Sequence, residues 1–351
     1  MKRLSIIIPI YKVEDYVERC LSSLLNQDLD PDQFEIICVN DGSPDRSGDI
    51  VKNLKKSFSN IQIIEQENQG VSSARNNGID IATGKYLLFI DPDDFVEPNS
   101  LRRVLNKADN LECQVSFLGF TIISESGKVM KRLLNEKHKD TVFGGTEAYY
   151  ISRGDGRNDP DRMWAVLFRR DLFDYNKLRY LSGVPYLEDG ELIARILCFA
   201  DRCIFDGSPF YFRTIRKGSA TNSSLFYSDK AIDGFIKSAT NLKNFKNDPK
   251  LSQEKREFLN QAICKFVILV ITASSRSISR GKIKSAKERL CREGLCKLDL
   301  KSTDLEYRIL GHLYNFSVLA LVIYQFFVNL GHHVYRKAEF QFSKLLKAEM
   351  Q

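Results

Sequence analysis

Four short apolar runs, each followed by residues at helical spacing, open the chain. Leu4–Ile10 is compact and β-branched, and from Val13 onward Val17, Leu21, Leu24 and Leu25 recur on one helical face. Phe34–Val39 is the second run. Asn40-Asp41-Gly42-Ser43 closes it as a turn and capping cluster, before a helix through Ile50, Val51 and Leu54. Ile61–Ile64 predicts a short third strand, Val71–Ile81 a helix ending near Gly84, and Tyr86–Ile90 a fourth strand. Strands alternating with such helices imply a mostly parallel sheet with right-handed crossovers. That sheet brings Pro9-Ile10-Tyr11, Asn40-Asp41-Gly42-Ser43 and Asp91-Pro92-Asp93 to its carboxyl edge, where open α/β folds bind ligands.

Beyond residue 97 the alternation loosens. Val115–Ile123 reads as a strand, the turn Ser124–Gly127 into Lys128–Leu134 as a hairpin, and Phe143–Ser152 as a helix. Arg153–Arg162 is polar and contains Gly, a solvated connection or a lid over the edge. Trp164, the sole tryptophan, opens WAVLFRRDLF and is expected in the core, with sugar contact the other option. From Ser228 strand patterns fade and helical runs take over, as at Phe258–Ala273 and Ile283–Leu290. The chain thus divides into 1–97, 98–227 and a helical, basic 228–351. Between Arg308 and Arg336 no residue carries a formal charge, and Leu313–Leu330 approaches the ~20 residues of a membrane span. His312, Asn315, Gln325 and Asn329 fall on one side, however. That fits a helix lying in a membrane interface, or packed on a helical partner, better than a span; a buried helix is the third option.

Composition, 43% hydrophobic and 28% charged, is that of an ordinary globular protein and excludes disordered and multi-span classes. At 351 residues the chain has room for two domains, or one with a large appendage. The charge is uneven. Residues 229–351 carry 22 Lys and Arg against 12 Asp and Glu, leaving 30 against 33 for residues 1–228. A basic third can meet an anionic membrane surface; nucleic acid is not expected, because no motif interleaves these residues with aromatics. The eight Cys form no close pairs: Cys198/Cys203 and Cys291/Cys296 are five apart, without zinc spacing, and Cys20, Cys38, Cys113 and Cys264 sit among apolar residues. A reducing compartment follows. The apolar stretch of MKRLSIIIPIY is too short for a leader core and is broken by Pro9, so a cytoplasmic location is expected.

Chemistry concentrates in Lys85–Glu97, KYLLFIDPDDFVE, where an uncharged run stops in Asp91, Asp93 and Asp94. Mutual repulsion raises the cost of ionising such a cluster, and a hard divalent cation would relieve it. Taken singly, Tyr11 is a half-buried aromatic, Asp41-Gly42 a turn, and Glu67–Gly78 a capped helix with an incidental Arg75. Together they describe a nucleotide pocket: an aromatic face, a carboxylate for base or ribose, an Arg for phosphate, and an acid cluster for metal. Further on, Glu188-Asp189 in GVPYLEDGEL is either an acidic first helical turn or a carboxylate placed to take a proton from a hydroxyl. His138, His312, His332 and His333 lie in no recognised motif, so a Ser/His or Cys/His nucleophile has no obvious base. FYFRTIRKGS, an aromatic strand ending in Arg213, Arg216 and Lys217, is a solvated basic loop or a phosphate clamp.

The order IIIPIY, VNDGS-D, ENQGVSSARNNG, YLLFIDPDD resembles the family 2 glycosyltransferases, with family spacing, over residues 3–97. The resemblance implies an α/β GT-A fold, a Rossmann-like sheet flanked by helices, here with a helical C-terminal region. It also implies roles. Tyr11 stacks near the nucleotide base, with Pro9 and Gly70 beside the donor; Asp41 hydrogen-bonds base or ribose; Arg75 lies near the phosphates. Asp91 and Asp93 form the DxD motif, Asp93 as the Mn²⁺ or Mg²⁺ ligand and Asp91 nearer the ribose. The family's ED pair nominates Asp189 as general base and Glu188 as its support, a choice between the two acids that rests on resemblance alone. Arg213 and Arg216 reach towards the diphosphate; some relatives carry a His ligand there, and this chain does not. The position after Tyr11, often Asn in the family, is Lys12.

The expected activity is inverting transfer from a nucleoside-diphosphate sugar, UDP preferred, to a hydroxyl of a saccharide or lipid-linked saccharide in cell-surface polysaccharide synthesis. Peripheral contact with the inner face of the cell membrane is expected through 309–335. Two alternatives remain. A non-catalytic partner subunit would not need the full acid set, and an Asp-nucleophile phosphohydrolase carries its DxD after the first strand, not the fourth.

Overall fold

The computed structural model describes residues 2–139, 141–153, 161–216, 224–276 and 280–328. Most of the polar segment Arg153–Arg162, together with Lys217 and Asn329, lies outside the described residues. Residues 1–226 with 245–255 form one compact unit, and 227–244 with 256–351 a second.

In the first unit one nine-stranded sheet is built from β1 (Leu4–Ile10), β2 (Phe34–Asp41), β3 (Ile61–Gln66), β4 (Tyr86–Phe89), β5 (Phe95–Val96), β6 (Val115–Ser124), β7 (Val129–Leu133), β8 (Val166–Arg169) and β9 (Cys203–Ile215). The order is β3-β2-β1-β4-β8-β6-β9-β5, with β7 paired to β6. β1 to β4 are parallel, because each connection carries a helix: α1 (Val17–Leu25), α2 (Ser47–Ser57) and α3 (Val71–Ile81). The other half is mixed. β8 runs antiparallel to β4 and β6, β7 folds back on β6 through Gly127 at φ +81°, and β9 is parallel to β6 but antiparallel to β5. Helices α4 (Leu101–Asn110), α5 (Gly145–Arg153), α6 (Asp171–Tyr175) and α7 (Glu188–Phe199) complete this half. Helix α5 starts later than its apolar pattern predicts because Phe143 is drawn into a β-bridge with Cys203.

β1 is buried along its whole length, which is why it reads as an unbroken apolar run. Leu4, Ile6, Ile8 and Ile10 share one cluster with Val17, Cys20, Leu21 and Leu24 of α1 and Leu101, Val104, Leu105 and Ala108 of α4. Ile7 points to the opposite face, where a Cβ on Gly78 of α3 would come within 2.5 Å of its side chain. Each such large apolar side chain stabilises the sheet by about 1.5–3 kcal/mol on burial. The carboxyl edge is therefore held on a rigid strand.

The second unit is helical: α8 (Asp229–Phe245, its last residue belonging to the first unit), α9 (Gln253–Ser275), α10 (Arg280–Arg292), α11 (Leu305–Phe316) and α12 (Val318–Val328). α9 is long and apolar enough to cross a membrane, but 83% of its apolar stretch is buried, as in the central helix of a bundle. Within its described residues, 309–328, the charge-free run belongs to two helices, divided where Ser317 adopts extended backbone. One expectation fails here. Cys291 and Cys296, read as unpaired, are disulfide-bonded, with Cα atoms 4.2 Å apart. α10 ends at Arg292 and the chain reverses at Gly294, φ +69°, which returns Cys296 to the helix end. The other six Cys are free and buried.

Candidate active site

The loops after β1 and β2 lie side by side, since Ile10 stands opposite Asn40 and Pro9 opposite Val39 in the register. They are laced together: Lys12 N donates to Ser43 Oγ at 2.8 Å and Val13 N to Ser47 Oγ at 3.0 Å, while Asp45 accepts from both serine hydroxyls at 2.6 Å. Partial burial is the largest single influence and pushes the Asp45 carboxyl up, but the hydrogen bonds from Ser43, Ser47 and Glu14 together outweigh it and hold the carboxyl down at about 2. Tyr11 is left 42% exposed, with Lys12 Nζ 5.2 Å from its ring centre. Lys12 adopts φ +53°, a conformation that Asn tolerates better than Lys, so the departure from the family pattern falls on a strained residue.

Asp41 is buried, and its role in the fold is specific. Oδ1 accepts from Gln66 Nε2 at 2.7 Å and Gln69 N at 2.8 Å, and Oδ2 from Gly70 N at 2.9 Å. It shapes the turn into α3, where Gly70 takes φ +86°. Asp41→Asn replaces one acceptor oxygen with a donor facing backbone N–H. The expected cost is about 1–3 kcal/mol, read as a lower urea midpoint with an unchanged slope.

α3 then delivers Arg75 to the centre of the site. Its guanidinium is 4% exposed and meets three carboxylates: Nη2 donates to Asp91 Oδ1, and Nη1 to Glu188 Oε1 and Asp189 Oδ1, each at 2.9 Å. The plane lies 5.2 Å from the Tyr180 ring centre. Arg75 Nε and Tyr180 Oη are buried without a hydrogen-bond partner among the described residues. Asp189 is fixed a second time, with Oδ2 accepting from Met163 N at 3.1 Å. Glu188 has no second hydrogen bond of that kind to another residue among the described residues. Burial pushes the Glu188 carboxyl up to about 7, the neighbouring Asp189 adding to it and Arg75 opposing it. Burial likewise raises Asp91 to about 6, with Arg75 opposing and Asp93 and Asp189 adding. The acids of the β4 edge and those of the α7 N-terminus, 97 residues apart in the chain between Asp91 and Glu188, therefore share one cation.

Asp93 has a cation of its own. Its Oδ2 accepts from Arg216 Nε at 2.5 Å, and Arg216 lies over the Tyr16 ring. Arg19 Nη2 donates to the Asp93 carbonyl at 2.9 Å and to Thr214 Oγ1 at 3.0 Å. Asp94, named in the sequence only as a member of the acid cluster, is buried and ties the turn between β4 and β5 to β9. It accepts from Tyr211 Oη and from Thr214 N, both at 2.7 Å, and burial raises its carboxyl well above the ordinary range. Arg213 stacks over Trp164 at 5.3 Å from the ring centre and does not reach the acids through any described bond. Arg19, Tyr180, Tyr211 and the Met163 amide are missed by sequence reasoning, because each sits in an ordinary helical, aromatic or loop setting with no motif of its own.

The donor set suits a hard divalent cation. Asp91 and Asp93 offer carboxylate oxygens at a strand end, and Asp93 Oδ1 has no partner among the described residues. No cluster of three His, Cys, Asp or Glu ligands is assembled among the described residues. Two protein carboxylates plus ligand phosphate and water is a common arrangement for Mg²⁺.

A sheet carrying these motifs at its carboxyl edge matches a known family. Residues 5–174 fit the model of Glycosyl transferase family 2. This part of the chain belongs to that family. The uncharacterized glycosyltransferase EpsJ of Bacillus subtilis is 29% identical over 280 residues, covering 77% of each chain. The poly(ribitol-phosphate) beta-glucosyltransferase of Bacillus spizizenii is 31% identical over 189 residues, 53% of this chain and 28% of that protein. Among solved structures, S. aureus TarS 1-349 in complex with UDP-GlcNAc superposes with a TM-score of 0.57 at 18% identity, over 83% of this chain and 92% of that one. The fold is thus GT-A-like, and residues 5–174 carry the glycosyltransferase family 2 match.

Proposed function

We propose that the protein transfers a sugar from a nucleoside-diphosphate donor to a hydroxyl of a surface-polymer or lipid-linked saccharide, with inversion at the anomeric carbon. The observation that carries this reading is Arg75, which joins the acid edge of the donor half to the Glu188-Asp189 pair of the acceptor half. A donor diphosphate and an acceptor hydroxyl brought to that point would meet near one guanidinium. UDP is the proposed nucleotide, as in the TarS complex, and a wall-polymer acceptor is in keeping with the poly(ribitol-phosphate) relative.

In this mechanism Asp189, held by Arg75 and the Met163 amide, takes the proton of the acceptor hydroxyl as its oxygen attacks the anomeric carbon. The bond from that carbon to the diphosphate breaks on the opposite face. Arg216, and Arg213 if it leaves Trp164, place fixed positive charge where the departing diphosphate gathers negative charge. Tyr11 offers a ring for the base, and Asp41 keeps the loop beside it in shape. When bound, Mn²⁺ or Mg²⁺ at Asp93, with Asp91 beside it, supplies Lewis-acid stabilisation of the leaving group.

Purified protein with Mn²⁺, offered a panel of nucleotide-sugars and polyol-phosphate or polysaccharide acceptors, tests the reading by coupled nucleotide release and product mass. Release of inorganic phosphate without sugar transfer would overturn it. Asp93→Asn is expected to erase the Mn²⁺-dependent part of the thermal shift produced by UDP, leaving the melting temperature of the free protein within a few degrees.

A further inference from the structure

The last two helices turn an apolar face outward. Leu305, Ile309, Phe316, Leu319, Ile323 and Phe326 are all exposed, Phe316 at 86% and Phe326 at 63%, and Phe327 stands beside them. Within α12 these positions fall three or four residues apart, as one helix face requires. The polar residues of the same helices turn the other way. Asn315 Oδ1 accepts from Leu298 N at 2.7 Å and its Nδ2 donates to Leu298 O at 2.9 Å; Gln325 Nε2 donates to Thr272 Oγ1 at 2.8 Å. The sequence pattern sets Asn315 and Gln325 on one polar side, and the structure turns that side towards groups inside the unit. Of the polar set His312 is exposed, alongside the apolar residues. The usual sidedness of a surface helix is reversed.

We propose that this face docks on an anionic lipid bilayer. A face of exposed aromatic and aliphatic side chains of this extent marks a contact with something apolar. A second copy of a helix pair in water would be expected to show charged residues flanking the apolar stripe, as paired helices do. Here no residue from 309 to 328 carries a formal charge, and Tyr324 and Val328 add to the apolar surface. Uncharged aromatic-rich helices suit the boundary between headgroups and acyl chains. Charge complementarity selects the lipid. The same unit exposes Arg276 and Lys297, besides Lys282, Lys284 and Lys301, which lie within 4.0 Å of Asp229, Glu288 and Glu257; the segment holds 22 basic against 12 acidic residues, and each net cation near an anionic surface strengthens binding. The docking face lies wholly within the helical unit and does not depend on the transfer chemistry.

Sedimentation of the full chain with vesicles of phosphatidylcholine, with and without phosphatidylglycerol, tests it. Binding is expected to vesicles containing phosphatidylglycerol and to weaken as NaCl rises, with little binding to phosphatidylcholine alone. The combined change Phe316→Ser, Phe326→Ser and Phe327→Ser should lower the bound fraction's partition coefficient at least about tenfold. Its circular-dichroism melt should stay unchanged, since the three side chains face outward. Wild-type protein that remains in solution with both vesicle types, or a triple variant that binds as well as wild type, overturns the proposal. So does a dimer in light scattering that the triple variant splits, because the face would then belong to a second copy.

Discussion

Arg75→Met should abolish transfer and destabilise the first unit by about 3–5 kcal/mol, the cost of breaking a buried ion pair and leaving its partner uncompensated. The effect is large because the guanidinium answers Asp91, Glu188 and Asp189 together, at 2.9 Å each. Removing it leaves three acids facing one another without their shared cation, in a site whose burial already penalises ionisation of Asp91 and Glu188. The loss should depend on pH, with a definite sign. Asp91 and Glu188 have folded values raised to about 6 and about 7, so their contribution is fully present below the unfolded carboxylate range and fades as pH rises through those values. Without Arg75 both values rise further. The difference in urea midpoint between variant and wild type should therefore be greatest near pH 8 and shrink towards pH 5. Arg75→Lys, which keeps the charge but not the fork, should recover part of the stability and little of the activity. Equal destabilisation by Arg75→Met at pH 5 and pH 8 would show that the carboxylates are not what the guanidinium holds.

That central role was only half legible in the sequence. Periodicity was sufficient for β1 and β4, because a strand buried on both faces writes an unbroken apolar run. The acids at its end were visible for the same reason, as charge where packing gives none. Which acid does what was not. Asp94 takes no assigned role from the sequence, yet its carboxylate stitches the turn after β4 to β9 through Tyr211 and Thr214, contacts across about 120 residues that no local pattern encodes. Arg75 was readable as a cation beside the donor. Its carboxylate partners at 188 and 189 come from a helix N-terminus whose acids are already explained by the macrodipole. The C-terminal third misled in a different way. Helical periodicity locates a polar side without saying which way it faces, and Asn315 and Gln325 turn inward, where Asn315 pairs with the Leu298 backbone and Gln325 with the Thr272 hydroxyl. The Cys291–Cys296 bond depends on the reversal at Gly294, a backbone event that Cys spacing does not reveal.

Asp189→Asn should lower the transfer rate by about 10²–10⁴-fold, the usual contribution of a positioned general base, while leaving UDP binding within a factor of about two. The amide keeps the shape of the side chain and one acceptor oxygen for Arg75, so the fold and the donor edge should persist. What it loses is the capacity to take the acceptor proton. The neighbouring acid makes the comparison informative. Glu188 is held by Arg75 alone among the described side chains, and burial has brought its carboxyl up to about 7, a value well matched to proton transfer at neutral pH. Asp189 instead has both oxygens bonded, to Arg75 and to the Met163 amide, which fixes its direction. A fixed carboxylate is the better base if the acceptor hydroxyl arrives at a defined point, and the less tightly held one is better suited to holding the acceptor. Glu188→Gln should then cost about tenfold or less and act mainly on acceptor KM. It should also flatten the pH–rate profile between about pH 6 and pH 8, where Glu188 changes charge in the wild type. If instead Glu188→Gln removed transfer and Asp189→Asn spared it, the less tightly held carboxylate would be the base and the fixed one its anchor, with Arg75 still the group that holds the two in place.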